Sequence, residues 1–208
     1  MKDNICYIVG AGEDYGLDFV PAAGDLVIAA DGGLDRVRAA EIRPDLIIGD
    51  FDSLGRVPQE DNVLVLPTVK DVTDTYAAIQ LGLERGYRRF WLYGCTGGRI
   101  DHTLANIQTA AELAEKGIEC VIVDKYQIIT ALSGGTMEFG PEQKGFLSVF
   151  SHTDRCAGVA LKGLKYELDN AELTNRFPLG VSNEFLGQPA SVTVAEGTAI
   201  LVFERQLP

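Results

Sequence analysis

The chain has 208 residues, of which 46% are hydrophobic and 23% charged, and a formal net charge of −12. The hydrophobic share excludes a disordered protein, and the acidic balance argues against a nucleic-acid binder, whose phosphate contacts need a cationic surface. We find no run long enough for a membrane span and no signal peptide. The widely spaced cysteines (Cys6, Cys95, Cys120, Cys156) form no CxxC pair, so we expect reduced thiols in a cytoplasmic protein with a small-molecule partner; a zinc site is the weaker alternative.

The first part of the chain alternates apolar runs with amphipathic segments. The apolar runs predict buried strands of a parallel sheet covered by helices on both faces; they are residues 5–10, 26–31, 46–52, 63–67, 90–95 and 120–124. Helical spacing is found at residues 33–42, 73–86 and 101–117. In the last of these helices we expect Gly117 to form a left-handed cap. We expect its apolar stripe to comprise Leu104, Ile107, Ala111 and Leu113 or Ala114.

After about residue 126 the pattern changes to short alternating segments at residues 144–152, 158–168, 189–197 and 198–204. Turn signals at residues 133–135 and 196–197 separate segments of this kind. Such a pattern predicts an antiparallel β domain with one buried face. We therefore predict a doubly wound, mostly parallel α/β domain at residues 1–128 and an antiparallel β domain at residues 129–208.

Acidic residues, glycines and an arginine follow four consecutive predicted strands. They are Asp31-Gly32-Gly33, Asp50-Phe51-Asp52, Asp71 with Asp74, and Thr96-Gly97 with Arg99 and Asp101. Open parallel sheets bind ligands beyond the carboxyl ends of their strands, so these side chains should share one rim. Neighbouring carboxylates repel one another unless a cation neutralises them, and oxygen ligands favour magnesium.

Several of these residues have a second interpretation. If residues 50–52 stay extended, Asp50 and Asp52 share a face and Phe51 points into the core; alternatively both aspartates cap a helix or stabilise a turn. Gly32 and Gly33 either let the backbone approach a phosphate or form a tight strand-to-helix turn.

The segments after the fourth and fifth strands also have alternatives. Thr73, Asp74 or Asp71 could cap the helix that begins near residue 74. Arg99 is suited to gripping phosphate, or else forms an ion pair with Asp101. We assign His102 no catalytic role. The chain lacks the P-loop, dinucleotide-binding and GxSxG motifs, which argues against those chemistries.

Together these segments closely resemble the thiamin pyrophosphokinase family. The matching stretches are Ala30–Gly33, Pro44–Ser53, Lys70-Asp71 with Thr73-Asp74, Gly94 with Gly97–Arg99, Asp101-His102 with Asn106, Gly163–Tyr166 and Gly180–Phe185. The resemblance spans nearly the whole chain. It implies an α/β nucleotide-binding domain followed by an antiparallel β-sandwich, in a homodimer that transfers diphosphate from ATP to the hydroxyl of thiamin. ATP and Mg²⁺ would lie at the rim of the first domain, and thiamin would lie between subunits.

The resemblance also implies roles for individual residues. The carboxylates expected to act in catalysis are Asp50, Asp52, Asp71 and Asp74, the first three of them as metal ligands. ATP would contact Asp31, Gly32, Gly33, Thr96, Gly97, Arg99 and Asp101, and thiamin would contact Ser182 and Asn183. Val72, Tyr76 and Leu34-Asp35 depart from the family pattern. Two other functions stay open: a transferase acting on another alcohol, such as a pterin, and a nucleotide-sensing module, which Tyr76 favours.

Overall fold

The computed structural model describes residues 4–51, 57–67 and 71–206. The chain divides into two compact units. The first comprises residues up to Asn106 together with Ile122–Asp124, and the second comprises Ile107–Val121 together with residues from Lys125 onward.

The first unit contains a parallel sheet, as predicted. Its strands are β1 (Cys6–Val9), β2 (Leu26–Ala30), β3 (Leu46–Gly49), β4 (Val63–Val65) and β5 (Arg89–Tyr93). They lie in the order β5-β1-β2-β3-β4, and each neighbouring pair is parallel. Every residue of β1 and β2 is buried, which explains their uninterrupted apolar sequences. The chain steps outward from β1 to β4 and then places β5 on the other side of β1, so the topology reverses between β1 and β5.

The described residues form three helices, α1 (Gly33–Ala39), α2 (Asp74–Glu84) and α3 (Ile100–Glu115). Thr73 caps α2, because its hydroxyl accepts the backbone N–H of Tyr76 at 3.1 Å. The predicted left-handed Gly117 after α3 is confirmed, with φ 67°. The predicted stripe of α3 is wrong at Leu104, which is 56% exposed. Asn106 is buried instead, since its side-chain amide donates to the carbonyl of Cys95 at 2.7 Å.

The second unit is built from antiparallel strands, as predicted. After β6 (Glu119–Val123), which is divided between the units, come β7 (Gln127–Phe139), β8 (Phe146–Ser151), β9 (Arg155–Lys162), β10 (Leu168–Thr174), β11 (Gly180–Glu184) and β12 (Ala190–Glu204). One edge of β12 pairs with β7. Its other edge pairs with β9 near the start of β12 and with β8 near the end of β12. β9 in turn pairs with β10, and β8 pairs with β11. The strands therefore divide into two branches that share β7 and β12.

The two predicted turn signals of this unit are wrong. Residues 133–135 lie inside β7 and residues 196–197 lie inside β12, where the register between the two strands shifts. Gly134, Gly135 and Gly197 all have positive φ values there, because a β-bulge needs the same left-handed backbone as a turn. The bulge is also where β12 exchanges β9 for β8 as its partner.

Buried apolar side chains from both branches form one core cluster in the second unit. It includes Leu147 and Val149 from β8, Val159 and Leu161 from β9, and Val192 and Leu201 from β12. Within the described ranges, none of the helices combines the length and the apolar composition of a membrane-spanning segment.

Candidate active site

A cavity of about 800 Å³ opens in the first unit beyond the carboxyl ends of β1, β2, β3 and β5. Its wall consists of residues 11–13, 30–31, 50, 71–75, 94–99, 102 and 106. The cavity includes the ends of β1 and β5, between which the strand order reverses. A reversal of this kind separates the loops that follow neighbouring strands and leaves a crevice for a ligand.

The predicted carboxylates Asp31, Asp50, Asp71 and Asp74 all line this cavity. Asp52 lies outside the described residues. Glu13 contributes a further carboxylate that the sequence reasoning missed. The available signal was its position in the loop that follows β1, at the same rim as the predicted aspartates.

The backbone is left-handed at two of the strand ends, with φ 49° at Asp31 and φ 59° at Phe51. Such conformations cost free energy in residues with a side chain and are concentrated at functional sites. Phe51 is buried, as predicted, with 2% of its surface exposed. The predicted strand at residues 46–52 is nevertheless too long, because β3 ends at Gly49 and Phe51 is left-handed. Whether Asp50 and Asp52 share a face lies outside the described residues.

The loop after β5 supplies backbone donors and one cation. Gly97 and Gly98 have φ values of 75° and 59°, and the N–H of Gly98 donates to the Glu13 carboxylate at 3.3 Å. Thr96 is buried; its hydroxyl donates to Asp124 at 2.7 Å, and its carbonyl accepts the N–H of Glu13 at 2.9 Å. The loop is therefore fixed at Thr96, and its left-handed glycines are of the kind that turn N–H groups toward an anion.

Arg99 lines the cavity and forms an ion pair with Asp101, the alternative that the sequence left open. The contact is forked, with Nε and Nη2 at 3.2 and 2.5 Å from the two carboxylate oxygens. The hydrogen bond and the charge of Arg99 hold the pKa of Asp101 below its ordinary value. Both side chains are more than half exposed, and pairs of this kind are held weakly. A phosphate can therefore replace Asp101 as the partner of Arg99 at little cost.

Gly32 and Gly33 lie outside the wall of the cavity. A side chain at Gly33 would overlap the carbonyl oxygen of Val9, so this glycine lets the start of α1 pack against the end of β1. Gly32 is the N-cap residue of α1 and has an ordinary helical φ of −58°. Their surroundings fit the tight strand-to-helix turn.

Ser182 and Asn183 belong to β11 in the second unit. Asn183 is only 3% exposed. Its Oδ1 accepts the N–H groups of Tyr166 and Glu184, both at 2.9 Å, and its Nδ2 donates to the carbonyl of Tyr166 at 2.7 Å. Its amide is thus engaged in holding residue 166 against β11. Ser182 is exposed, with φ 58° and its N–H donating to the hydroxyl of Ser148.

Within the described part of the chain, no three His, Cys, Asp or Glu side chains are grouped closely enough to hold a metal ion. The donors that line the cavity nevertheless suit a hard cation in kind, since Asp50 and Asp71 offer carboxylate oxygens.

Two family models match the chain. They are described as the thiamin pyrophosphokinase catalytic domain, which matches residues 21–122, and the thiamin pyrophosphokinase vitamin B1 binding domain, which matches residues 136–199. Thiamine pyrophosphokinase of Bacillus subtilis is 29% identical over 184 residues, covering 85% of this chain and 86% of that protein.

Solved structures give the same result. A crystal structure of the Bacillus subtilis thiamine pyrophosphokinase superposes with a TM-score of 0.84 at 26% identity, covering 98% of this chain and all of that one. The Geobacillus thermodenitrificans thiamin pyrophosphokinase gives a TM-score of 0.82 at 27% identity, with 97% and 98% covered. The Candida albicans enzyme, at 15% identity and a TM-score of 0.79, shares the fold, with 97% and 90% covered.

Proposed function

The chain belongs to the thiamin pyrophosphokinase family, and from this premise we propose that it transfers diphosphate from ATP to the hydroxyl of thiamin, giving thiamin diphosphate and AMP. The observation that carries the proposal is the cavity at the strand ends, which brings four of the predicted aspartates together with the glycine loop and Arg99. Transfer of phosphoryl groups depends mainly on positioning and charge neutralisation, and this set of residues supplies both.

In the proposed reaction the hydroxyl oxygen of thiamin attacks the β-phosphorus of ATP. The bond from the β-phosphorus to the oxygen of the α-phosphate breaks, and AMP leaves with the bonding electrons. The hydroxyl proton passes to a carboxylate, for which Asp71 and Asp74 are the candidates on the cavity wall. Arg99 and the N–H group of Gly97 hold phosphate oxygens and offset the charge that develops on them, and the N–H of Gly98 joins them when a phosphate replaces the Glu13 carboxylate as its acceptor.

We propose that Asp50, Asp52 and Asp71 hold Mg²⁺. A bound magnesium ion would neutralise the triphosphate and polarise it toward attack. The support is the oxygen donor set on the cavity wall, where Asp50 and Asp71 are described and Asp52 is not. Removing divalent cations with EDTA should stop AMP formation, and adding Mg²⁺ should restore it. Full activity in EDTA would contradict this assignment.

We propose that residues 1–128 form the ATP-binding catalytic domain and residues 129–208 the thiamin-binding domain. Ser182 is exposed on β11, so it can contact a substrate directly. Asn183 acts differently, because its amide is already bonded to the backbone of Tyr166. Its contribution to thiamin binding is to fix the segment around Tyr166.

We propose that the protein is a homodimer and that its second unit forms the interface. Phe150, Phe177 and Leu179 are 37%, 65% and 49% exposed and line one shallow groove. Exposed apolar groups of this kind commonly mark interfaces. Sedimentation equilibrium should give a dimer for the wild type and a shift toward monomer for Phe177→Ser. The control Val20→Ser, at an exposed apolar position in the first unit, should stay dimeric; a monomeric wild type would contradict the proposal.

We propose a cytoplasmic location. All four cysteines are buried with free thiols, and burial raises the pKa of Cys6 and Cys95 to about 12. Such neutral thiols serve as small hydrophobic side chains, a use that is common in reducing compartments. Cell fractionation followed by the activity assay tests this location.

The activity itself is tested by incubating the protein with ATP, Mg²⁺ and thiamin and separating the products by chromatography. We expect AMP and thiamin diphosphate in equal amounts, and loss of both in Asp71→Asn. ATP bound without AMP formation would contradict the proposal and indicate a nucleotide sensor. AMP formed only with another alcohol, such as a pterin, would indicate a different transferase.

A further inference from the structure

Arg36, on α1, bonds to residues 10–12, a segment at the cavity wall that we call the floor. Its guanidinium group donates from Nη1 to the carbonyl of Gly10 and from Nη2 to the carbonyl of Gly12. These two carbonyls flank Ala11, and both Ala11 and Gly12 belong to the cavity wall. One half-buried side chain therefore holds both ends of this short segment at the cavity wall.

The opposite edge of this segment is bonded to the end of β5. The N–H of Gly10 donates to the carbonyl of Tyr93 at 2.8 Å, and the N–H of Gly12 donates to the carbonyl of Gly94 at 2.7 Å. A side chain at Gly94 would overlap the guanidinium group of Arg36, so this glycine leaves the space that Arg36 fills. The floor is thus fixed by β5 on its N–H side and by Arg36 on its carbonyl side.

Arg36 also places a positive charge against a wall segment of a cavity that carboxylates line. Asp31 and Glu13 line the same cavity, and the proposed substrate adds a triphosphate. The carbonyls of Gly10 and Gly12 are neutral, so these two hydrogen bonds do not neutralise the charge of Arg36, and among the described residues it forms no ion pair with a carboxylate. Arg38, two residues further along α1, instead forms ion pairs with Asp35 and Glu60.

We propose that Arg36 is a positioning residue for the nucleotide: it fixes residues 10–12 so that the glycine loop after β5 and the floor of the cavity present a preformed, less negative surface to the triphosphate. This inference rests on the proposed function of the cavity. The forked guanidinium group is needed because its two nitrogens reach two carbonyls at once, whereas a lysine ammonium is a single point of contact.

The test compares Arg36→Lys and Arg36→Met with the matched control Arg38→Met. Binding of a non-hydrolysable ATP analogue with Mg²⁺ and binding of thiamin are measured separately by calorimetry, together with the melting temperature. Charge-assisted hydrogen bonds predict that Arg36→Met weakens analogue binding by about 10- to 100-fold. Arg36→Lys keeps the charge but loses the fork, so we expect a loss of about 3- to 10-fold. Arg38→Met should bind like the wild type, and thiamin binding should be unchanged in all three variants.

Unchanged analogue binding in Arg36→Lys and Arg36→Met would overturn the proposal. Parallel losses of analogue binding, thiamin binding and melting temperature would also overturn it, because they indicate a general structural role. If Arg36→Met does not fold, Arg36→Lys decides between these results. Wild-type protein that binds the analogue but forms no AMP from ATP and thiamin would contradict the proposed function alone, since the binding comparison still tests Arg36.

Discussion

Replacing Asn183 with alanine separates a structural role from direct contact with thiamin. The substitution removes three hydrogen bonds of 2.7 to 2.9 Å, all to backbone groups of Tyr166 and Glu184. At about 1 kcal/mol net for each bond the loss would be about 3 kcal/mol. Tyr166 is 61% exposed, so water can reach part of its backbone and lower the cost. We therefore expect the free energy of unfolding to fall by about 2–3 kcal/mol.

The assay is urea unfolding followed by circular dichroism, combined with KM values for thiamin and for ATP. We expect Asn183→Ala to raise the KM for thiamin and to leave the KM for ATP unchanged, because the residues near 166 lie in the second unit. Asn183→Asp keeps both acceptor bonds but turns an oxygen toward the carbonyl of Tyr166, so it should be destabilised as well. Ser182→Ala is the control, and its exposed hydroxyl should contribute under about 0.5 kcal/mol to stability.

A raised KM for thiamin with unchanged stability would refute this reasoning and place Asn183 in direct contact with the substrate. Full stability together with normal KM values would refute both roles.

Three further predictions follow from the site and the core. Asp52→Asn should abolish Mg²⁺-dependent turnover without changing the circular dichroism spectrum, and near-normal turnover would remove Asp52 from the metal ligands. Gly33→Ala should cost about 3 kcal/mol or more because its methyl group overlaps a β1 carbonyl, while Gly32→Ala, whose methyl group would lie 3.2 Å from the Cβ of Ala11, should cost only about 1 kcal/mol in the same urea titration. Burial raises the pKa of Cys6 and Cys95 from 9.0 to about 12, so their contribution to stability is complete below pH 9 and is lost as the pH rises toward 12. At pH 8 both thiols should react with a disulfide reagent only after unfolding; rapid labelling of the native protein would contradict their burial.

The parallel sheet and the four described aspartates of the site could be predicted because each depends on a local pattern. Strands buried on both faces need continuous apolar sequence, and the residues that follow parallel strands must meet at one edge. The contacts of Glu13 and Arg36 could not be predicted in this way. Glu13 meets Gly98, 85 residues further along the chain, and Arg36 meets a loop 24 to 26 residues before it. The first contact exists only once β1 and β5 have become neighbours, and the second only once α1 has packed against the end of β1.

The second unit shows a different limit of sequence reasoning. Glycines at residues 134, 135 and 197 carry the conformational signal of a turn, and here they serve a bulge between two long strands. Local chemistry is the same in both cases, so the distinction depends on which strands pair across the bulge. Phe51 is a further case, since it is both buried and left-handed and its apolar sequence context gives no sign of the positive φ.

The sharing of β12 between two branches has a consequence for the order in which the protein matures during translation. β12 is the last strand of the described chain, yet β7, β8 and β9 all pair with it. While a ribosome is still making residues 190–204, the parallel sheet of the first unit already has all five of its strands, whereas neither branch of the second unit can close. The part of the protein assigned to thiamin therefore becomes competent only once β12 has been made, and until then its unpaired strand edges depend on protection from aggregation.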